Sequence, residues 1–198
     1  MHKTAHTIAR DSLLSLEAYA RQRGEFRTKV MAHKKDRTVH VGAHVTLIFE
    51  DELTIRYQIQ EMLRIERTFE EQGIQDELDA YESLIPDGRN FKATMMIEYA
   101  DAEERKRALA KLKGIEDRVW VQVEGCPRVY AIADEDLERE NEEKTSAVHF
   151  LRFELTDDMA KALKYGVALS LGIDHQNYQA EVGAVTAGVR ASLAQDLD

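Results

Sequence analysis

Cysteine is scarce in this sequence, and its scarcity limits the kinds of site that the chain can build. The 198 residues include a single cysteine, Cys126. One cysteine cannot close a disulfide bond within the chain, and it cannot supply the ligands of a zinc ribbon or an iron–sulfur cluster. Because this usage suits a reducing compartment, we expect a cytoplasmic protein.

Long apolar runs are also missing. No stretch approaches the roughly 18 uninterrupted apolar residues that mark a membrane-spanning helix. The first residues, MHKTAHTIARDS, lack the apolar core of a secretion signal. We therefore expect a soluble protein with no membrane partner.

Basic residues are fewer than acidic residues in this sequence. Lys and Arg together number 27 against 37 Asp and Glu, which gives a formal net charge of −10. A protein this acidic repels a phosphate backbone unless its basic residues are segregated. We expect no nucleic-acid partner, and the sequence leaves homo-oligomerisation open.

Familiar catalytic and cofactor signatures are absent from the sequence. It contains no GxGxxG, GxxxxGK[ST], HExxH, CxxC or GxSxG pattern. Motifs therefore assign no catalytic residue and indicate no cofactor, which weighs against an enzyme without excluding one.

The length and composition favour one globular domain over residues 1–198. Hydrophobic residues make up 43% of the chain and charged residues 32%, a typical soluble balance. Helix and hairpin patterns occupy residues 11–85, and strand patterns dominate residues 91–198. We predict an α+β fold in which a helical N-terminal half packs on a mainly antiparallel sheet.

Residues 91–155 carry a more specific pattern. Their order is strand, helix, strand, strand, helix, strand, which is that of a ferredoxin-like motif (βαββαβ). The second of these helices is weakly supported, since Leu137 is its only large apolar residue. A solvated loop is the alternative for this acidic segment, Asp134 to Lys144.

The stretch TIRYQIQEMLRIERTFEE predicts a long amphipathic helix over residues 52–72 that ends at Gly73. Its apolar side chains share one broad face, and a polar stripe formed by Arg56, Gln60, Arg64 and Arg67 follows one edge of that face. These guanidinium groups can cover apolar surface and pair with nearby acids such as Glu61. Alternatively, they form a binding site for a carboxylate or phosphate.

Glu66 falls inside the apolar face of this predicted helix. A carboxylate buried there has to be paired, protonated or coordinated, because an isolated buried charge is very costly. Glu66 is therefore either paired with an arginine near a less buried helix end or a functional carboxylate of raised pKa.

The histidines offer weak candidates for a metal site. His33, His40 and His44 surround a predicted hairpin, and three neighbouring imidazoles can bind zinc or iron, but their spacing is not diagnostic. His149 alternates with apolar strand residues, which is typical of a core histidine, and His175 lies in a loop-like stretch. The role of Cys126, beside a predicted turn, stays open.

Several phrases of the sequence resemble a bacterial family of about this length that is catalogued as a domain of unknown function. They include SLEAYARQRGEFR, LIFEDELTIRYQIQEMLRIERTFEEQGIQDELDAY, GIEDRVWVQV and EKTSAVHFLRFEL. The resemblance covers nearly the whole chain and implies a stand-alone cytoplasmic protein. It supplies no catalytic residues.

This resemblance also implies a cellular context, since members of the family are often encoded near rubrerythrin-like and iron–sulfur oxidoreductase proteins. It suggests an accessory or interaction protein of a redox or peroxide-defence system, with such a protein as partner. Two alternatives come from the residues themselves. One is an enzyme or sensor that binds a small anion at the arginine stripe, and the other is a mononuclear metal protein with histidine ligands.

Overall fold

The computed structural model describes residues 7–198, so the first six residues of the predicted domain, with His2 and His6, lie outside the described residues. The helices within this range are α1 (Leu16–Lys35), α2 (Glu52–Glu66), α3 (Glu71–Glu82), α4 (Ala102–Lys111), α5 (Asp157–Lys164) and α6 (Ala187–Ala194). The strands are β1 (Thr38–Val41), β2 (Val45–Glu50), β3 (Asn90–Ile97), β4 (Val119–Val123), β5 (Val129–Tyr130), β6 (Ile132–Ala133), β7 (Val148–Glu154), β8 (Leu169–His175) and β9 (Tyr178–Val182). This confirms the predicted α+β class.

The strands form two sheets. One has the order β1-β2-β3-β7-β6 and the other the order β5-β4-β8-β9. All neighbouring pairs are antiparallel, as expected. The hairpin of the first part of the chain thus belongs to the same sheet as β3 and β7.

The ferredoxin-like arrangement suggested for residues 91–155 does not form. Strands β3 and β7 lie in the first sheet, whereas β4 lies in the second. The acidic segment between β6 and β7 contains no helix and is irregular. Leu137 is 57% exposed, so a helix there would have had little apolar surface to bury.

The inner faces of the two sheets share one apolar core. Phe49, Phe91 and Phe153 of the first sheet belong to the same buried cluster as Val121 and Leu171 of the second. Close packing between β4 and β8 depends on glycine. A Cβ atom at Gly172 would lie 2.5 Å from the Trp120 ring and 2.7 Å from the Ala180 carbonyl oxygen.

A second apolar cluster lies among the helices. It joins Ile59 and Leu63 of α2 to Ile74 and Leu78 of α3, and it also includes Leu13 near the start of the described chain. The buried face of α2 turns toward both α1 and α3, so Gln60, expected at the polar edge, is 2% exposed.

The long helix predicted over residues 52–72 is interrupted, and this part of the prediction is wrong. Helix α2 ends at Glu66 because Arg67 adopts a left-handed conformation with φ of 56°, and its N–H donates to the Leu63 carbonyl. The break lets α3 fold back and bury its own apolar side against α2. Ile65 and Phe69, predicted to face the core, are 62% and 75% exposed.

Helices α1 and α2 are joined by a polar contact centred on Glu61. Arg23 donates to both carboxylate oxygens, from Nε at 2.7 Å and Nη2 at 2.8 Å, and the Tyr19 hydroxyl donates at 2.8 Å. The hydrogen bonds from Arg23 are the main reason that the pKa of Glu61 falls from 4.5 to about 2. Burial and this neighbouring carboxylate raise the pKa of Tyr19.

Replacing Glu61 by Gln should lower the melting temperature by roughly 3–6 °C at pH 7, since the charge-assisted bonds between α1 and α2 weaken. A lowered carboxyl pKa means that the folded state favours the charged form. The Glu61 carboxylate therefore contributes fully to the free energy of unfolding above its pKa in the unfolded chain, and this contribution disappears as pH falls through its pKa in the folded state. The difference between wild type and Glu61→Gln should therefore shrink between pH 4.5 and about 2. Thermal unfolding across this range checks it, with exposed Glu25→Gln as control, and a difference that is constant with pH would contradict it.

Candidate functional site

Arg37 lies between α1 and β1, and its guanidinium group is almost completely buried, at 1% exposure. Nε donates to the Phe49 carbonyl at 2.8 Å, and Nη2 donates to the Glu50 carbonyl at 3.0 Å. These two bonds hold the end of α1 against the end of β2.

The same guanidinium also binds the end of the described chain. Nη2 donates to Asp196 Oδ2 at 2.5 Å, and Nη1 donates to the carbonyl and hydroxyl of Ser192 at 3.4 and 3.3 Å. Nη1 lies 3.4 Å from Asp51 Oδ2, which is 2.5 Å from His33 Nε2. One buried arginine thus connects α1, β2, the start of α2 and the segment after α6.

A cavity of about 560 Å³ opens beside this network. Its polar wall is formed by Arg37, Asp51, Glu52, Lys164, Gln195 and Asp196. Leu53, Ile85, Pro86, Ala194 and Leu197 supply apolar surface. A concave, partly apolar site with a few converging charged groups is the usual form of a small-molecule site.

Asp196 is the titratable group that this environment perturbs most. Its side chain is 6% exposed. Burial raises its pKa from 3.8 to about 6, although the Arg37 charge acts in the opposite direction, and the Asp51 charge adds to the rise. A carboxyl group of this pKa on the wall of a cavity can bind a cationic group or exchange a proton near neutral pH.

The predicted arginine stripe is only partly brought together. Arg56 and Gln60 line a different cavity, of about 340 Å³, with Phe26 and Lys29 of α1. Arg56 Nη1 donates to the Ser12 carbonyl at 3.0 Å, and Gln60 Oε1 accepts from an amide of the same segment, that of Leu14, at 2.7 Å. Both side chains therefore hold the segment before α1 against α2.

The remaining residues of the predicted stripe lie outside the lining of that cavity. Arg64 pairs with Glu61 at 3.4 Å, which is the acid expected for it. Arg67 is exposed at the helix end, and Glu66 is exposed as well, so Glu66 is not inside the core. An anion site at this stripe stays a prediction.

The histidines expected around the hairpin make separate contacts. His33 binds Asp51, His40 Nδ1 lies 3.0 Å from Thr46 Oγ1, and His44 stacks on Tyr99 with ring centroids 3.9 Å apart. In the part of the chain that the structure describes, the group of three metal-ligating side chains found within 4.8 Å is Glu116, Asp134 and His149.

His149, His175 and Cys126 are placed by the second half of the chain. His149 is fully buried in β7, as its alternation with apolar residues predicts. His175 ends β8, and its Nε2 lies 3.0 Å from the Lys113 carbonyl oxygen. Cys126 is half-buried and packs against the main core.

Sequence reasoning missed Arg37 and Asp196 as partners. Arg37 was visible only as one of several basic residues near α1, and Asp196 had no distinguishing context. The two are 159 residues apart, so no local spacing connects them. The available signal was an arginine directly before a strand with two buried valines, since a charge next to apolar core residues needs partners from elsewhere.

Comparison with known proteins places the chain in a family. Residues 7–197 match the family described as "Protein of unknown function (DUF3501)", and the chain belongs to this family. A search of curated proteins found no match. Within residues 7–198, no helix is long and apolar enough to cross a membrane.

A solved structure supports the same assignment. The chain is similar to a protein described as a novel protein of unknown function from Burkholderia pseudomallei K96243, whose crystal structure was determined at 1.90 Å resolution. The two are 59% identical with a TM-score of 0.93, and the match covers 97% of this chain and 100% of the other. The family and fold are thereby shown, and the cytoplasmic location stays a prediction.

The raised pKa of Asp196 predicts a specific pH dependence. The folded state holds this proton more tightly than the unfolded chain, so ionisation costs stability as pH rises from 3.8 to about 6. The difference in unfolding free energy between Asp196→Asn, which stays neutral, and wild type should change in favour of the variant by about 2–3 kcal/mol as pH rises from 4 to 7. This change adds to the pH-independent cost of weakening the partner of Arg37. Urea unfolding at several pH values measures this difference. Exposed Asp158→Asn is the control, and a wild-type-to-variant difference that does not change with pH would refute the assignment.

Proposed function

We propose that the protein binds a small zwitterionic molecule, carrying an amine and a carboxylate or phosphate, in the cavity beside Arg37. The observation that carries the proposal is the placement of Asp196. Its Oδ2 is held by Arg37, and among residues 7–198 nothing donates a hydrogen bond to its Oδ1. A carboxylate oxygen that faces a cavity and has no protein donor can accept from a charged donor of a ligand.

Arg37 itself is not available for a ligand. Its donors are committed to the carbonyl groups of Phe49 and Glu50, to Ser192 and to Asp196. It fixes the position of the Asp196 carboxylate and leaves the free oxygen as the acceptor. A ligand ammonium group at that oxygen would add a second positive charge beside the carboxylate and stabilise the ionised form of Asp196.

The opposite charge of the ligand has a partner in Lys164. This lysine lines the cavity, is exposed, and forms no ion pair with any residue of the described chain. Glu52, by contrast, is occupied by Arg56. One anchoring acid, one free ammonium group and an apolar wall suit a small amino acid or a related amine. The same acid could act as a general acid or base, but binding is the function that the geometry supports.

The test uses amines with and without a carboxylate, and carboxylic acids without an amine, as probes in thermal-shift and calorimetric titrations. A zwitterion at about one hundred times its Kd should stabilise the protein by roughly 2.7 kcal/mol. Asp196→Asn should abolish the response to amines, and Lys164→Ala should weaken binding of the carboxylate-bearing probes about tenfold. Exposed Lys161→Ala on the same helix is the matched control. Equal responses in all variants, or none in wild type, would exclude the proposal.

The accessory role beside a rubrerythrin-like or iron–sulfur protein is a second, independent proposal that rests on the family resemblance. One structural feature agrees with it. Ile65 and Phe69 present apolar side chains to solvent at the turn between α2 and α3, where a partner protein could bury them.

Affinity capture from the native cell under mild conditions should return an iron protein with the wild-type bait. Much less should be recovered with Phe69→Ser, because a polar side chain there would no longer supply apolar contact area. Tyr165→Ser, at an exposed position on the segment after α5, is the control. Capture of no iron protein by wild type would count against this role.

A further inference from the structure

A second group of buried polar side chains lies under the irregular segment between β6 and β7. Glu116 belongs to the 3-10 turn before β4, Asp134 directly follows β6, and His149 lies in β7. Each offers a ligand atom, and these atoms lie within 4.8 Å of one another. None of these three residues lines the cavity beside Arg37, so a ligand at this group and a ligand in that cavity are independent.

The imidazole of His149 is oriented by Asp134. Nδ1 lies 2.6 Å from Asp134 Oδ2. The other oxygen of that carboxylate accepts from the Phe150 amide at 2.9 Å and from Arg139 at 3.2 Å. A carboxylate can only accept when it is ionised, so the geometry places a hydrogen on Nδ1, and in the neutral form of the ring Nε2 then carries a lone pair. Carboxylates hold metal-binding imidazoles in this way.

Oxygen atoms surround the free nitrogen of His149. Thr145 Oγ1 lies 3.0 Å from Nε2, the Ser146 carbonyl oxygen 3.1 Å, and Glu116 Oε2 3.8 Å. All three oxygens bear lone pairs that can bind an adjacent cation, and the hydroxyl of Thr145 can rotate to direct its lone pairs inward. The arrangement is thus rich in acceptors on one side of the ring.

Glu116 is short of positive charge. It is 8% exposed, and no Lys or Arg among residues 7–198 forms an ion pair with it. Its side-chain hydrogen bond, from the Thr145 hydroxyl, is long at 3.5 Å. A buried anion beside an imidazole lone pair favours a cation between them.

We propose that Glu116 and His149 bind one divalent transition-metal ion, with Asp134 as the positioning residue for the imidazole. Metal–nitrogen and metal–oxygen bonds to zinc are each about 2.0–2.2 Å long. An ion can therefore bridge Nε2 and Oε2 across their 3.8 Å separation without a large movement of either side chain. Thr145 and the Ser146 carbonyl supply further oxygens. One nitrogen with several oxygens suits zinc or a neighbouring first-row ion.

The direct test is calorimetric titration of the untagged, EDTA-treated and dialysed protein with Zn²⁺ at pH 7.5. We expect one ion per chain and a higher melting temperature in its presence. Titration with Co²⁺ gives an independent reading, since visible absorption bands would report a nitrogen–oxygen site. Binding of Zn²⁺ at a stoichiometry far below one, with no cobalt bands, would overturn the proposal.

Single substitutions distinguish the side chains that hold the metal ion from nearby side chains that do not. Glu116→Gln should weaken zinc binding at least tenfold, and Asp134→Asn, which keeps the side-chain shape, should weaken it by about 10–100-fold. Glu138→Gln, at an exposed position of the same segment, should bind like wild type. Circular dichroism confirms that each variant is folded. Undiminished binding by folded Glu116→Gln would overturn the assignment of this carboxylate.

The competing state of the cluster is an imidazolium that donates from both ring nitrogens, to Asp134 and to Ser146. Nitrogen-15 NMR of the histidine side chains distinguishes it. Two protonated ring nitrogens for His149 in the presence of excess Zn²⁺ at pH 7.5 would refute the metal site. Loss of the Nε2 proton signal with a zinc-dependent shift would support it. Neither result bears on amine binding at Asp196.

Discussion

The buried guanidinium of Arg37 is the constraint on which the arrangement of the chain depends. A charge at 1% exposure is tolerated only when its donors are matched, and removal of one partner leaves a costly unpaired group. The partners of Arg37 come from the end of β2 and from Ser192 and Asp196. The segment after α6 must therefore dock before the charge is satisfied, and docking builds the wall of the large cavity.

Local signals in the sequence predicted much of the secondary structure. Asp101 and Thr156 accept from the amides of Glu104 and Met159, and such side chains are the usual signal for the start of a helix. The sequence pattern did not predict the helix break at Arg67, because an arginine in the left-handed conformation has no sequence signature comparable with that of glycine. The division of the strands between two sheets was also not predicted. Alternation of apolar and polar residues predicts which side of a strand is buried, but it does not say which sheet the strand joins.

The sites were less predictable than the fold, and for a physical reason. The arginine stripe could be predicted because its members recur at helical spacing. In the structure, however, Arg56 and Gln60 hold the segment at Ser12 and Leu14 by hydrogen bonds. The cavity and the Glu116 cluster are assembled from distant parts of the chain. His149 could be recognised as a core residue from its strand, but its contact with Asp134 required the loop between them to fold back.

The two separate apolar clusters have a consequence for how the molecule opens. Packing among α2, α3 and Leu13 forms one set of contacts, and packing between the sheets forms another. Such sets often behave as independent cooperative units in amide hydrogen exchange. The cavity beside Arg37 lies at the boundary between them, since Ile85 of the helical cluster and Leu197 of the sheet cluster both line it. The helical cluster is therefore expected to exchange its amide hydrogens as one unit while the sheets stay closed.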